Sequence, residues 1–314
     1  MAPDESCREA AVSEKAAELR ATSGNKSHKL FFATCAAIVL LIALAPGSVR
    51  AAWARLAGFI SVGSESLPAA PAPNLDLPAA KLSGLSCQQQ AELLMNATIN
   101  HDARAAVLVT ERAQQWRGRL KLTPELTGTL QTALNDHDLK ARAAALDVYL
   151  AVYNVAKTPR SAAHLREVAQ TDPKSRGWAL WMLGALGNRG VERDAALNTL
   201  LAHIHDSDEQ TRYWTIEGLA HLGSDATIAP LLDEFQNDPA MQVRERAACS
   251  LAESGMLTHE QRLRAAPALI AMTNDASTDA TIKEWAYQAL GAITGETFGK
   301  DSAAWQTWSA NQGN

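Results

Sequence analysis

Residues 228–255, IAPLLDEFQNDPAMQVRERAACSLAESG, constrain this chain more than any other stretch. Two short apolar stripes at helical spacing are separated by a breaker. Ile228, Leu231, Leu232 and Phe235 share one face of a first helix. Asn237-Asp238-Pro239 interrupts it, with Asp238 placed to cap the next helix and Pro239 to sit in its first turn. Val243, Ala247, Ala248 and Leu251 line a second helix, and Gly255 suits a left-handed end to it. Two helices this short cannot hide both stripes against each other alone, so the unit must stack on copies of itself.

The copies are present. Taking a basic residue of each second helix as anchor gives Arg142, Arg176, Arg212, Arg244 and Lys283, spaced by 34, 36, 32 and 39 residues. Three positions on stand Ala145, Ala179, Thr215, Ala247 and Ala286, small enough for close helix approach. Seven on stand Tyr149, Leu183, Leu219, Leu251 and Leu290. Six before the anchor stand Asp136, Asp206 and Asp238; the second and fifth units have Gln170 and Ser277 there instead. An acid in the turn and a guanidinium in the following helix predict a structural ladder of Asp136, Arg142, Arg176, Asp206, Arg212, Asp238, Arg244 and Lys283. An anion site on the same arginines is the alternative use of that charge.

Pro230 in the first helix, Asp238 in the turn and Val243-Arg244 opening the second helix resemble the HEAT repeat family, including its bacterial HEAT-like members. The ending from Ile293, with Thr294-Gly295, Phe298-Gly299, Asp301, Trp305 and Trp308, is similar to a tail of bacterial HEAT-like proteins. The resemblance covers residues 123–312. It implies an all-α fold, a right-handed α-α superhelix in which second helices line the concave side. It says little about function, because fold and activity are separable.

The rest of the chain fits that expectation. Alanine and leucine dominate, strand-like alternation is almost absent, and the net charge of −5 disfavours a nucleic-acid binder. Residues 1–29 read as a cytoplasmic tail without a core pattern. Residues 30–45, LFFATCAAIVLLIALA, are uncharged, and Gly47, Ser48 and Val49 extend them toward the ~20 residues of a membrane span. An anchor over 30–49 is the expectation; a cleaved signal ending near Val49-Arg50-Ala51 and a buried core helix are the alternatives. Arg20, Lys26 and Lys29 before the span place the repeats outside the cytoplasm, which in a Gram-negative cell is the periplasm. Residues 50–81 join an interfacial helix, or a continuation of the anchor, to a spacer containing Pro68, Pro71, Pro73 and Pro78. Residues 82–122 read as a capping helix pair, 123–294 as five repeats, and 295–314 as a cap that lays Trp305 and Trp308 over the last unit.

No catalytic constellation emerges. There is no Gly-rich phosphate loop, no G-x-S-x-G and no C-x-x-C. Cys87 and Cys249 fall several helix layers apart, too far for a disulfide. His203 and His205, two residues apart, point to different faces and suit a metal poorly, and His259-Glu260 reads as a helix start after Thr258. No cofactor and no metal are expected.

The most pointed feature is aromatic. Two residues after the anchor stand Trp178, Trp214 and Trp285, with Arg246 in the fourth unit. Helical geometry puts this position about 140° off the core stripe. With Trp181 and Tyr213 these residues predict either a peptide-binding groove or a seal between adjacent units. The function expected is a non-enzymatic, membrane-anchored scaffold that binds a protein or peptide, with no nucleic acid. The alternatives are a HEAT-like enzyme of lyase or hydroxylase type, or a plain spacer.

Overall fold

The computed structural model describes residues 82–312. The tail 1–29, the apolar run 30–49 and the spacer 50–81 lie outside the described residues. Within them every regular element is helical, and no helix is long and apolar enough to cross a membrane.

The helices come in pairs. α1 (Cys87–Ile99) and α2 (Ala103–Arg112) lead into a 3-10 turn, Ala113–Trp116. Then follow α3 (Pro124–Leu134) and α4 (Leu139–Val152), α5 (Pro159–Thr171) and α6 (Arg176–Asn188), and α7 (Arg193–Ala202) and α8 (Glu209–Leu222). α9 (Asp225–Asn237) pairs with α10 (Met241–Ala252). In the last pair the first helix is split into α11 (His259–Leu263) and α12 (Ala266–Asn274), packed with α13 (Ala280–Thr294). α14 (Ser302–Gln312) closes the series against α12.

Local chemistry sets many helix starts. Thr123 Oγ1 accepts the Leu126 N–H at 3.1 Å, with Pro124 opening α3. Ser86 with Gln89, and Thr258 with Gln261, form reciprocal capping boxes. Asp102, Asp138, Asp208 and Asp279 cap α2, α4, α8 and α13 through their carboxylates. The unit that organises the sequence behaves differently. α10 begins at Met241 after Ala240, and Asp238 stands outside the helix, accepting the Ala240 N–H at 2.7 Å. Asp238 is therefore not the cap, and Pro239 precedes the helix. Its carboxylate is drawn instead to the guanidinium of the preceding unit.

Second helices stack on second helices: α4 on α6, α6 on α8, α8 on α10 and α10 on α13. The small residues Ala145, Ala179, Thr215, Ala247 and Ala286 are all fully buried along this line. So are Leu183, Leu219, Leu251 and Leu290, each such side chain contributing roughly 1.5–3 kcal/mol of burial. The closest approach is between α6 and α8. A Cβ on Gly184 would come within 2.1 Å of the Gly218 carbonyl oxygen, so the backbones themselves touch. Gly255, at φ 76°, packs on the end of α8: a Cβ there would meet the Ala220 carbonyl oxygen at 2.5 Å.

α4 departs from a simple amphipathic helix. Ten of its fourteen residues are buried, so it is enclosed by neighbours on most sides. α1, α2, α3 and α6 surround it. Its one acid, Asp147, is fully buried and is met by Lys157 Nζ at 3.0 Å and Arg189 Nη2 at 3.1 Å. At the far end Trp305 is completely buried, edge-on to Phe298 at 5.0 Å, with Trp308 edge-on to it at 6.1 Å.

Candidate functional site

The anchor arginines follow a common rule. Each donates to carbonyls at the end of the first helix of its own pair or in the turn that follows it, where backbone groups lack intrahelical partners. Arg176 Nε reaches Ala169 O at 2.7 Å, Arg212 Nη1 reaches Asp206 O at 2.9 Å, and Arg244 Nη2 reaches Gln236 O at 2.6 Å. Arg142 Nε takes the Asp136 carbonyl. The turn acids belong to the next pair along. Arg176 meets Asp206 at 3.6 Å, and Arg212 grips Asp238 with two bonds, Nε–Oδ2 at 2.7 Å and Nη2–Oδ1 at 3.1 Å. Arg176 and Arg212 are thus tied forward across 30 and 26 residues, not to the acid of their own turns. Lys283 acts on Asp275 at longer range.

The first rung is different. No acid stands at the matching place in the second unit, and the Asp136 carboxylate is occupied by the Asp138 N–H at 2.8 Å. Arg142 is buried and donates Nη1 to the Gly255 carbonyl at 2.6 Å, 113 residues away at the end of α10. Arg262, which the repeat pattern does not single out, is also buried there. It donates to the carbonyls of Ser250, Leu251, Ser254 and Leu257, so it serves as the C-terminal cap of α10. Burial lowers its guanidinium to about 10.

The aromatic stripe divides in two. Trp181 is mostly buried, edge-on to Tyr149 at 5.0 Å and to Tyr153 at 6.2 Å. Trp178 is edge-on to Tyr153 at 6.2 Å, and Trp214 lies 6.4 Å from Trp181 and 6.0 Å from Tyr213. Trp214 also fills the space over Gly177, where a Cβ would meet its ring at 2.3 Å. These rings join α4, α6 and α8. Trp178, Trp214 and Tyr213 remain half-buried, so part of each still faces outward. Trp285, also half-buried, stands apart on α13. Between the two groups Arg246 Nε meets Glu217 Oε1 at 2.8 Å.

Two residues beneath the stripe lie outside the sequence expectation. Trp181 Nε1 donates to His221 Nδ1 at 2.9 Å, which leaves the imidazole proton on Nε2. Burial drives His221 down to about 4, against the opposing pull of Glu217. Burial works to raise Glu217, but Arg246 and His221 outweigh it and hold the carboxyl below its ordinary value. Burial also works against the Arg246 charge, and Glu217 more than restores it. An i, i+4 spacing of Glu217 and His221 was the only trace of this cluster in the sequence.

A second cluster forms where α7 turns into α8. α7 ends at Ala202, so His203 and His205 lie on a turn, not a helix. His203 Nδ1 is 3.4 Å from Asp206, while His205 Nδ1 is 3.0 Å from Glu234 of α9. Ligand atoms of His205, Asp233 and Glu234 lie within 4.8 Å of one another. Burial first, then the neighbouring Asp238, raises the Glu234 carboxyl. For Asp238 itself, burial is overcome by the bonds from Arg212, and its carboxyl is lowered. Asp233 also borders an open cleft of about 280 Å³ between α9 and α12. Cys87 and Cys249 are both free thiols, and burial raises the latter.

Stacked helix pairs tied by side-chain rungs define a helical-repeat protein. Residues 169–252, from the end of α5 through α10, match the family described as HEAT repeats. HEAT repeats typically form non-catalytic scaffolds and commonly mediate protein interactions. No curated protein matches the chain at a significant level.

Proposed function

We propose that this chain is a non-enzymatic scaffold that binds a protein or peptide segment along its second-helix face. The observation that carries this reading is the outward surface of Trp178, Trp214 and Trp285, set beside the Glu217–Arg246 pair on consecutive second helices. Indoles and arginine dominate interface energetics, because each adds large contact area and a directional donor. Large exposed aliphatic surface is scarce among the described residues, only Val107 and Met241 qualifying, so these side chains are the main apolar surface available to a partner. The second-helix face is the concave side in this proposal. The apolar run 30–49 anchors the protein in a bacterial inner membrane, and the basic residues before it keep the repeats on the periplasmic side.

The test uses a displayed random-peptide library selected on the full chain in detergent. Peptides that bind the wild type are expected to lose at least tenfold in affinity on Trp285→Ala, a larger effect than its loss of Tm, because Trp285 packs on the core with only part of its ring. Trp214→Ala is expected to weaken the same peptides more than it lowers Tm. Equal binding by wild type and both variants overturns the reading.

A further inference from the structure

The turn cluster at His205 has a composition that the scaffold reading does not use. We infer that His205, Asp233 and Glu234 form a binding site for a divalent transition-metal cation of the zinc type. The donor set is mixed, one imidazole nitrogen and two carboxylate oxygens, contributed by two successive helix pairs. Their ligand atoms lie within 4.8 Å of one another. Three ligands at ~2.0–2.2 Å around a tetrahedral ion require donors ~3.4 Å apart, which small side-chain rotations of His205 and Asp233 supply. His205 is 74 % exposed and Glu234 3 %, so the ion sits with its back to the fold and one position open to solvent.

Charge distribution gives the second argument. Asp233, Glu234 and Asp238 crowd three carboxyl groups at the end of α9. Arg212 is the cation built into that corner, and its donors are spoken for. Nε and Nη2 go to Asp238, and Nη1 goes to the carbonyls of Asp206 and Ser207 at 2.9 and 3.4 Å. Asp233 receives only the Asn237 amide, at 2.7 Å, among the hydrogen bonds of this corner. Glu234, buried, is left with His205 as the basic group in direct contact. Three donors converging from two helix pairs, with a fourth position facing solvent, match the open arrangement of a three-ligand zinc site. The turn that carries His205 is held in place independently. Asp206 is fixed by His203, by Arg176 and by the Asp208 N–H at 3.0 Å.

An imidazole ligand favours zinc-like ions over calcium or magnesium, which take all-oxygen cages. The bound ion would clamp the third repeat to the fourth, adding a cross-link to the Arg212–Asp238 rung. The site is independent of the aromatic face.

The experiment is zinc titration of the untagged full chain in detergent after chelator dialysis, followed by calorimetry. One equivalent is expected to bind, raising Tm at saturation, with a millimolar excess of Ca²⁺ leaving the isotherm unchanged. His205→Ala and Asp233→Asn, both at exposed positions that spare the core, are each expected to weaken zinc at least tenfold. His259→Ala, an exposed histidine elsewhere, is expected to bind as the wild type. Absence of a stoichiometric site, or equal binding by His205→Ala and the wild type, overturns the inference. Equal losses in His205→Ala and His259→Ala overturn it too, by showing diffuse surface binding.

Discussion

Two polar clusters hang on the same helix, α8, and they are resolved differently. Near its start, Arg212 meets Asp238 almost out of solvent, with 9 % and 0 % of the side chains exposed, while Glu234 beside them has no guanidinium of its own. Toward its end, Glu217 meets Arg246 at 2.8 Å, and His221 takes the Trp181 N–H. The first cluster joins the turns of successive pairs; the second lies beneath the aromatic rings. A helix-repeat stack therefore uses buried charge in two ways. One lies beneath the aromatic rings, and the other gathers Asp233, Glu234 and Asp238 around one guanidinium and His205 at an edge that solvent reaches.

The comparison breaks most easily at its first member. Arg212→Ala leaves the Asp238 carboxylate buried and unpaired, and a loss of about 3–5 kcal/mol is expected from urea unfolding. A loss under about 1 kcal/mol would show that the corner relaxes and that the rung is not closed. The second cluster responds to pH. His221 has an ordinary value of 6.5 and stands near 4 in the folded chain, so between those values the folded state binds fewer protons than the unfolded one. Its contribution is fully present above pH 6.5 and is lost as pH falls toward 4, a drop of about 2–3 kcal/mol measurable by Tm against pH. His221→Asn keeps an acceptor for Trp181 and is expected to flatten that limb. The finest adjustment is Glu217→Gln. Glu217 and Arg246 stay 15 % and 19 % exposed, so the stability cost is smaller, about 1 kcal/mol. Because Glu217 pulls His221 upward, its removal should move the acid limb to lower pH.

Much of the fold was legible along the chain. The anchors at Arg142, Arg176, Arg212, Arg244 and Lys283 fall in the second helices, and the small residue three positions on is buried each time. Thr123-Pro124 and Thr258 mark true helix starts. The candidate site was only partly legible. The tryptophans at 178 and 214 serve the seal between helices and keep part of their surface outward, so the two readings of the stripe are not exclusive. Trp285 alone stands clear of the ring cluster. The two-residue spacing of His203 and His205 carries no trace of the contacts His205 makes. Its partners come from α9, about thirty residues on. The role of Arg262 leaves no mark in the sequence, because its four carbonyl partners carry no side-chain signature.

By itself the sequence determined the helix pairs, their period and some of their caps, because these depend on spacings of three or four residues and on hydrogen bonds made within one turn. Only the tertiary structure decided the long-range pairings: Arg212 to Asp238 of the next unit, Arg142 to the carbonyl of Gly255, Trp181 to His221, and His205 to Glu234. The reason is geometric. A partner across helices is chosen by how closely and at what register the backbones lie, and that is set by contacts such as Gly184 on Gly218, which no local pattern encodes.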